Sequence, residues 1–255
     1  MSVGTSNNYM NIQENPTFCG SRTKKWAKKE QKFLKYIELT PNSPVSDTFE
    51  KEMIQGIKFV DESVLKQVAK DGNLKMKLAQ KATDAFPDLD KSFVFADGRT
   101  WDECPSISRG TGLTGYFEKP LGYNHPKPSS NHVVHEIGHE LDKLFIKIFG
   151  DRFVNTKGFT EVYLKDIAKL PENLKKYSKK ITAETSDRLD YLIQGSTPRN
   201  ITKRGKIEAF AEIFAMLNGG SAQEARLKGI DKLYKKVFPN TTAYIEKLLR
   251  LLGKR

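Results

Sequence analysis

Two histidines and a glutamate stand close together in the segment PSSNHVVHEIGHELDKLFIKIFG, Pro128 to Gly150. His135 and His139 are four residues apart, so on a helix they leave one face at one turn's spacing. Two imidazoles placed this way can converge on a single tetrahedral Zn²⁺. Glu136, next to the first histidine, then sits beside the ion without ligating it. From there it can take a proton from water and pass it to a leaving amine. The chain holds only four histidines, all between His125 and His139, whereas histidines used for packing would be scattered. His132 shares the face one turn earlier. A regular helix cannot bring three turns of side chains onto one ion, so His132 reads as a residue behind the ligands or facing solvent. His125, before Pro126, reads as a loop residue.

A catalytic zinc takes three protein ligands and keeps one position open. No histidine follows position 139, so the third ligand must be a carboxylate. The best candidate lies in KIEAFAEIFAMLNGG, Lys206 to Gly220, a strongly helical run stopped by Asn218-Gly219-Gly220. Glu208 and Glu212 interrupt its apolar surface four residues apart. Carboxylates on a buried helix are costly unless a cation or hydrogen-bond donors satisfy them. Glu208 is therefore the expected ligand, and Glu212 the acceptor that orients a ligand histidine. The alternative is an ordinary exposed carboxylate pair. Glu140 and Asp142 turn off the line shared by the histidines, and Glu161 and Glu184 sit in polar sequence that solvation explains.

The elements that must hold these residues are legible in outline. Ser129 or Ser130 is a plausible N-cap and Gly150 a plausible C-cap for the first helix. Val133, Ile137, Leu141, Leu144, Phe145 and Ile148 give it one buried stripe. Gly138 admits a second segment close to the metal, a reason to accept its cost of about 1 kcal/mol in helix propensity. Upstream, residues 48–86 pattern as two or three helical segments punctuated by Gly56, Asp61 and Asp71-Gly72. Ser92 to Ala96 (SFVFA) reads as a buried strand. Arg109 to Tyr123 reads as loop, edge strand and turn. The chain is mostly helical after His139, and no repeat of solenoid length is present. Residues 1–47 read as a flexible, basic N-terminal segment, disordered over 1–22. Within it TKKWAKKEQKFLKYIE (23–38) could form a helix, docking its aromatic stripe on the domain or lying on an acidic surface, before the linker LTPNSPVSD. Residues 48–255 form the expected domain: α+β, mostly helical, with a small sheet beside the active-site helix.

With both helices in view, the chain resembles the anthrax lethal factor-like metallopeptidases, a group that includes the Pro-Pro endopeptidases. The matching parts are VVHEIGHELD at 133–142, EAFAEIFA at 208–215 and FPNTTAYIEKLL at 238–249, within a similarity covering roughly 90–255. The resemblance implies a zincin-like fold that binds zinc and cleaves peptide bonds. It also implies that Tyr116 and Phe117, on an edge strand before the helix, lie beside an extended substrate. The sequence departs from the family twice. The connection from His139 to Glu208 is longer, with lysine-rich helical material between Asp151 and Arg199. The family's tyrosine two turns before the ligand glutamate is here Ile201. Either the oxyanion role passes to another group, with Tyr191 and Arg204 as candidates, or the enzyme is slower, since losing such a donor costs about 2.7–4 kcal/mol of barrier. Related domains occur in secreted toxins and in phage or prophage proteins, which is analogy alone.

Composition narrows the alternatives. The two cysteines, Cys19 and Cys104, exclude a disulfide framework and make cysteine ligation improbable. A net charge of +12 favours a nucleic acid or acidic partner through long-range attraction, or is simply a lysine-rich surface. No apolar run approaches the roughly 20 residues that cross a bilayer. The first thirty residues hold no apolar core of a signal peptide. A cytoplasmic, virion-associated or leaderlessly exported protein is expected. The reading is a zinc-dependent endopeptidase acting on protein or peptide. The rival is a phage-associated structural or interaction protein that carries the same zinc domain.

Overall fold

The computed structural model describes residues 26–95, 98–121, 129–177, 183–219 and 230–253. A four-stranded sheet is built from β1 (Ile37–Leu39), β2 (Lys75–Ala79), β3 (Ser106–Arg109) and β4 (Leu113–Phe117), in the order β1-β2-β4-β3. β1 and β4 both run parallel to β2, and β3 is antiparallel to β4. Registers align Leu39, Leu78, Tyr116 and Ser106 in one row and Ile37, Met76, Thr114 and Ser108 in the next. Residues alternate faces along a strand, so these rows share one face of the sheet. That face packs on helices. Ala79, Ile107 and Phe117 lie on the other face, in a smaller core with Phe86 of the loop after the short helix α4 (Ala82–Ala85).

α2 (Asp47–Phe59) and α3 (Glu62–Gly72) form the crossover between β1 and β2. The Ser46 hydroxyl caps α2 by accepting from Phe49 N–H at 3.2 Å, and Asp61 caps α3 through Ser63 N–H at 2.9 Å. Both pack on α5 (Ser130–Phe149), the central helix. The Ser129 N–H donates to His132 Nδ1 at 3.1 Å, which gives that histidine a capping role, and Gly150 ends the helix in the left-handed conformation (φ 78°). α6 (Lys157–Tyr177), α7 (Ala183–Ile193), α8 (Lys203–Leu217), α9 (Ile230–Val237) and α10 (Pro239–Leu251) follow. Phe159, Tyr163, Ile167 and Leu170 bury one side of α6, each worth about 1.5–3 kcal/mol of removed apolar surface. Asp166, fully buried on the same helix, accepts from Asn240 N (3.2 Å), Asn240 Nδ2, Thr241 N and Thr241 Oγ1 (each 2.7 Å). One carboxylate thus caps α10, which accounts for the Pro-Asn-Thr-Thr sequence there. The mixed architecture is α+β. No helix among the described residues is long and apolar enough to cross a membrane.

Several expectations are corrected. Over the described part of the expected 23–38 helix, residues 26–38, the chain forms α1 (Lys28–Gln31) and a 3₁₀ turn at Leu34–Tyr36, and Ile37–Leu39 is a strand instead. Trp26, Phe33, Tyr36 and Ile37 are buried in the main core, so a domain boundary at 47 would cut through the fold. The segment read as a linker is tied to the sheet's end. Ser46 N–H donates to Glu118 at 2.8 Å, and Ser43 Oγ accepts from Gln80 N–H at 2.7 Å. The disorder expected over 1–22 lies outside the described residues. Lys75–Ala79, read as helical, is an interior strand, because parallel neighbours on both sides outweigh the helix propensity of Lys, Met, Leu and Ala. Of the strand expected over Ser92–Ala96, the described residues 92–95 form no buried strand: Phe93 and Val94 are exposed, and Val94 makes only an isolated bridge to Thr100 across a turn. The apolar stripe of α5 stops at Phe145, because its last turn projects past the core and leaves Ile148 exposed.

Candidate metal centre

α5 and α8 cross at Gly138. A Cβ at that position would lie 3.0 Å from Ala211 Cα and from Phe214 Cδ1, and 3.2 Å from the Ala211 carbonyl oxygen. The bare glycine lets the helix backbones approach, and Glu208 on α8 reaches the histidines of α5. His135 Nε2 and His139 Nε2 lie 3.4 and 3.5 Å from Glu208 Oε2. The two imidazoles stand edge to face, centroids 4.6 Å apart at 89°. One ligand atom from each of the three residues falls within 4.8 Å of the others.

Those separations test whether a metal fits. Distances of 3.4 and 3.5 Å exceed an ordinary hydrogen bond. They match the edge of about 3.3–3.4 Å of a tetrahedron whose arms are about 2.0–2.1 Å, the length of Zn–N and Zn–O bonds. Two nitrogens and one oxygen, with the fourth side open to a cleft, fit a divalent cation of borderline softness. His135, His139 and Glu208 could hold a metal ion.

Glu212, one turn beyond Glu208, accepts a hydrogen bond from His135 Nδ1–H at 2.9 Å. A neutral ring that offers Nε2 to a metal carries its hydrogen on Nδ1, so Glu212 fixes the tautomer the site requires. Burial disfavours a charged His135 ring, but Glu208 and Glu212 outweigh it and raise its pKa to about 10. Burial likewise opposes ionisation of Glu208, yet the two histidines hold its carboxyl far below the usual carboxylate range.

Glu136 is buried, and its carboxylate lines the same cleft. Ser106 Oγ of β3 donates to its Oε1 at 2.7 Å. Two residues on, Ser108 Oγ donates to Glu140, which also accepts from Gly112 N–H and from Lys143 Nζ (3.0 Å). Asp142 accepts from Arg152 at 2.9 Å and Val154 N–H at 3.0 Å, and burial raises its pKa. Glu140 and Asp142 therefore bind α5 to its neighbours rather than joining the histidines. These serines were not singled out in the sequence. The Ser-Ile-Ser alternation before the hairpin was the available signal, since period two puts both hydroxyls on one face.

Tyr191, near the end of α7, donates its hydroxyl to Glu208 Oε2 at 2.7 Å. Burial of the hydroxyl, then the charge of Glu208, pushes the phenol's pKa well above its ordinary value, so the group remains a donor. Gly205 makes this possible: a side chain there would strike the Ile193 carbonyl and Tyr163, separating α7 from α8. Arg204 lines the cleft as well, but no hydrogen bond joins it to Glu208. Tyr116 and Phe117 are fully buried on an interior strand, so neither can lie beside a substrate. The strand bordering the cleft is β3. The pairing of Phe117 N–H with the Pro105 carbonyl sets the alternation, leaving the N–H and C=O of Ser106 and Ser108 on the outer edge.

The cleft encloses about 460 Å³ between β3, α5, α7 and α8, with an apolar wall at Phe95, Trp101 and Ile107. Compared with models of known protein families and with curated proteins, the sequence matches none.

Proposed function

We propose that this chain is a zinc-dependent endopeptidase with a zincin-like domain of the lethal factor-like kind. The observation that carries the reading is the convergence of His135, His139 and Glu208, with both histidine–glutamate separations near a tetrahedral edge, beside Glu136, a carboxylate with no place in the ligand set. A purely structural site would have no use for that neighbour. Zn²⁺, when bound, polarises the scissile carbonyl and lowers the pKa of water towards about 7.

The remaining work belongs to the protein. An extended peptide pairs antiparallel with β3 through the backbone groups of Ser106 and Ser108, as peptides add to exposed sheet edges. Ser106 Oγ holds Glu136 facing the cleft. The Glu136 carboxylate removes a proton from the attacking water and delivers it to the departing amine nitrogen. Tyr191, whose one hydroxyl hydrogen rests on Glu208 in the free site, turns it to the carbonyl oxygen as charge gathers there. Glu212 keeps His135 in the ligating tautomer.

The test uses Glu136→Gln. This variant is expected to bind zinc like the wild type and to lose cleavage of a peptide library. Retained proteolysis at wild-type zinc content would remove the general-base assignment.

A further inference from the structure

We propose that Arg204 determines the substrate class by receiving a carboxylate of the bound peptide, which makes the cleft selective for acidic sequences. The inference rests on the endopeptidase reading for the word substrate, but its geometry stands separately. The carboxylates of the cleft are engaged: Glu136 with Ser106, Glu208 with Tyr191 and the histidines, Glu212 with His135. The cations Lys143 and Arg152 are neutralised by Glu140 and Asp142, and Arg99 is engaged too.

Arg204 differs. It lines the cleft one turn before Glu208 on the same face of α8 and is exposed, with no hydrogen bond or ion pair to another described residue. It also occupies the first turn of α8, which contains no acidic residue. The positive end of a helix repels a cation and attracts an anion. A guanidinium placed there, at the cleft wall and without a partner among the described residues, is free to receive an anion. A guanidinium and a carboxylate form paired, charge-assisted hydrogen bonds, and a peptide brings carboxylates as Asp or Glu side chains or as its C-terminus.

The experiment measures binding to the full chain carrying Glu136→Gln and loaded with Zn²⁺, so that the probe is not consumed. Probes are decapeptide mixtures, acetylated and amidated, with one position fixed in turn as Asp, Glu, Asn, Gln or Lys. A parallel set carries a free C-terminal carboxylate. Asp or Glu at one position, or the free terminus, is expected to tighten binding about tenfold, and the set showing the gain names the source. Adding Arg204→Ala should erase the gain, Arg204→Lys should keep part of it, and Arg204→Glu should transfer the preference to Lys. Circular dichroism and zinc content confirm that each variant is folded. No acidic preference, or one that survives Arg204→Ala, overturns the proposal. Wild-type protein incubated with the preferred mixture decides the other matter: selective binding without a broken bond would remove the endopeptidase reading and leave the carboxylate site standing.

Discussion

Gly138→Ala tests whether close contact between α5 and α8 is what forms the proposed metal site. The added Cβ would meet Ala211 Cα and Phe214 Cδ1 at 3.0 Å, whereas carbon atoms rest at about 3.5–4.0 Å. Ala211 contributes backbone atoms, which cannot rotate away, so the helices must part by a few tenths of an ångström. Glu208 moves with α8, and its 3.4 and 3.5 Å separations from the histidine nitrogens widen accordingly. Metal sites tolerate about 0.2 Å in each ligand distance. Overpacking costs about 1–3 kcal/mol and alanine returns about 1 kcal/mol of helix propensity. The net loss of about 0–2 kcal/mol leaves a folded protein, with Tm lowered by no more than about 8 °C. Zinc affinity, read by chelator competition, is expected to fall about 10–100-fold, the range seen when a ligand's supporting partner is lost. A folded Gly138→Ala protein with wild-type zinc affinity would refute the role assigned to this contact.

Three further outcomes follow from the same geometry. Without metal, His135 stays protonated up to a pKa of about 10, so a metal must displace that proton. Apparent zinc affinity should rise roughly tenfold per pH unit through the neutral and mildly alkaline range and level off above about pH 10, with about one proton released per ion in calorimetry across buffers of different ionisation heat; a flat profile from pH 7 to 9 would contradict the charge state. Tyr191→Phe should lower kcat about 10²–10³-fold with KM and zinc content unchanged, and a loss confined to KM would exclude transition-state donation. Asp166→Ala strands four donors at the start of α10 and should cost about 2–4 kcal/mol in denaturant unfolding. An unchanged midpoint would mean that α10 is capped by other groups.

The two helices that carry the candidate metal ligands were easier to read in the sequence than the sheet, for a physical reason. A helix closes its hydrogen bonds locally, so the caps at Ser129 and Gly150, the apolar stripe of α5 and the spacing of Glu208 and Glu212 are all readable within one segment. β1 and β2 take their identity from parallel partners far along the chain, and nothing inside IEL or KMKLA names those partners. The same limit put Tyr116 and Phe117 on an edge: β4 is interior because β2 lies beside it, and the edge falls to β3. Gly138 was legible as a close approach. Gly56, read as a break between helices, instead lies inside α2, where a side chain would collide with Val133. Tyr191 and Arg204 entered together as oxyanion candidates; only the packing of α7 against α8 separates the hydroxyl on Glu208 from the guanidinium without a partner.

X-ray absorption at the zinc edge on the loaded protein tests the proposed coordination most directly. The expected spectrum has two imidazole nitrogens at about 2.0–2.1 Å and carboxylate oxygen at about 2.0–2.2 Å, and the carboxylate shell should disappear in Glu208→Ala. A spectrum with sulfur ligands, with a single imidazole, or unchanged by Glu208→Ala would contradict it.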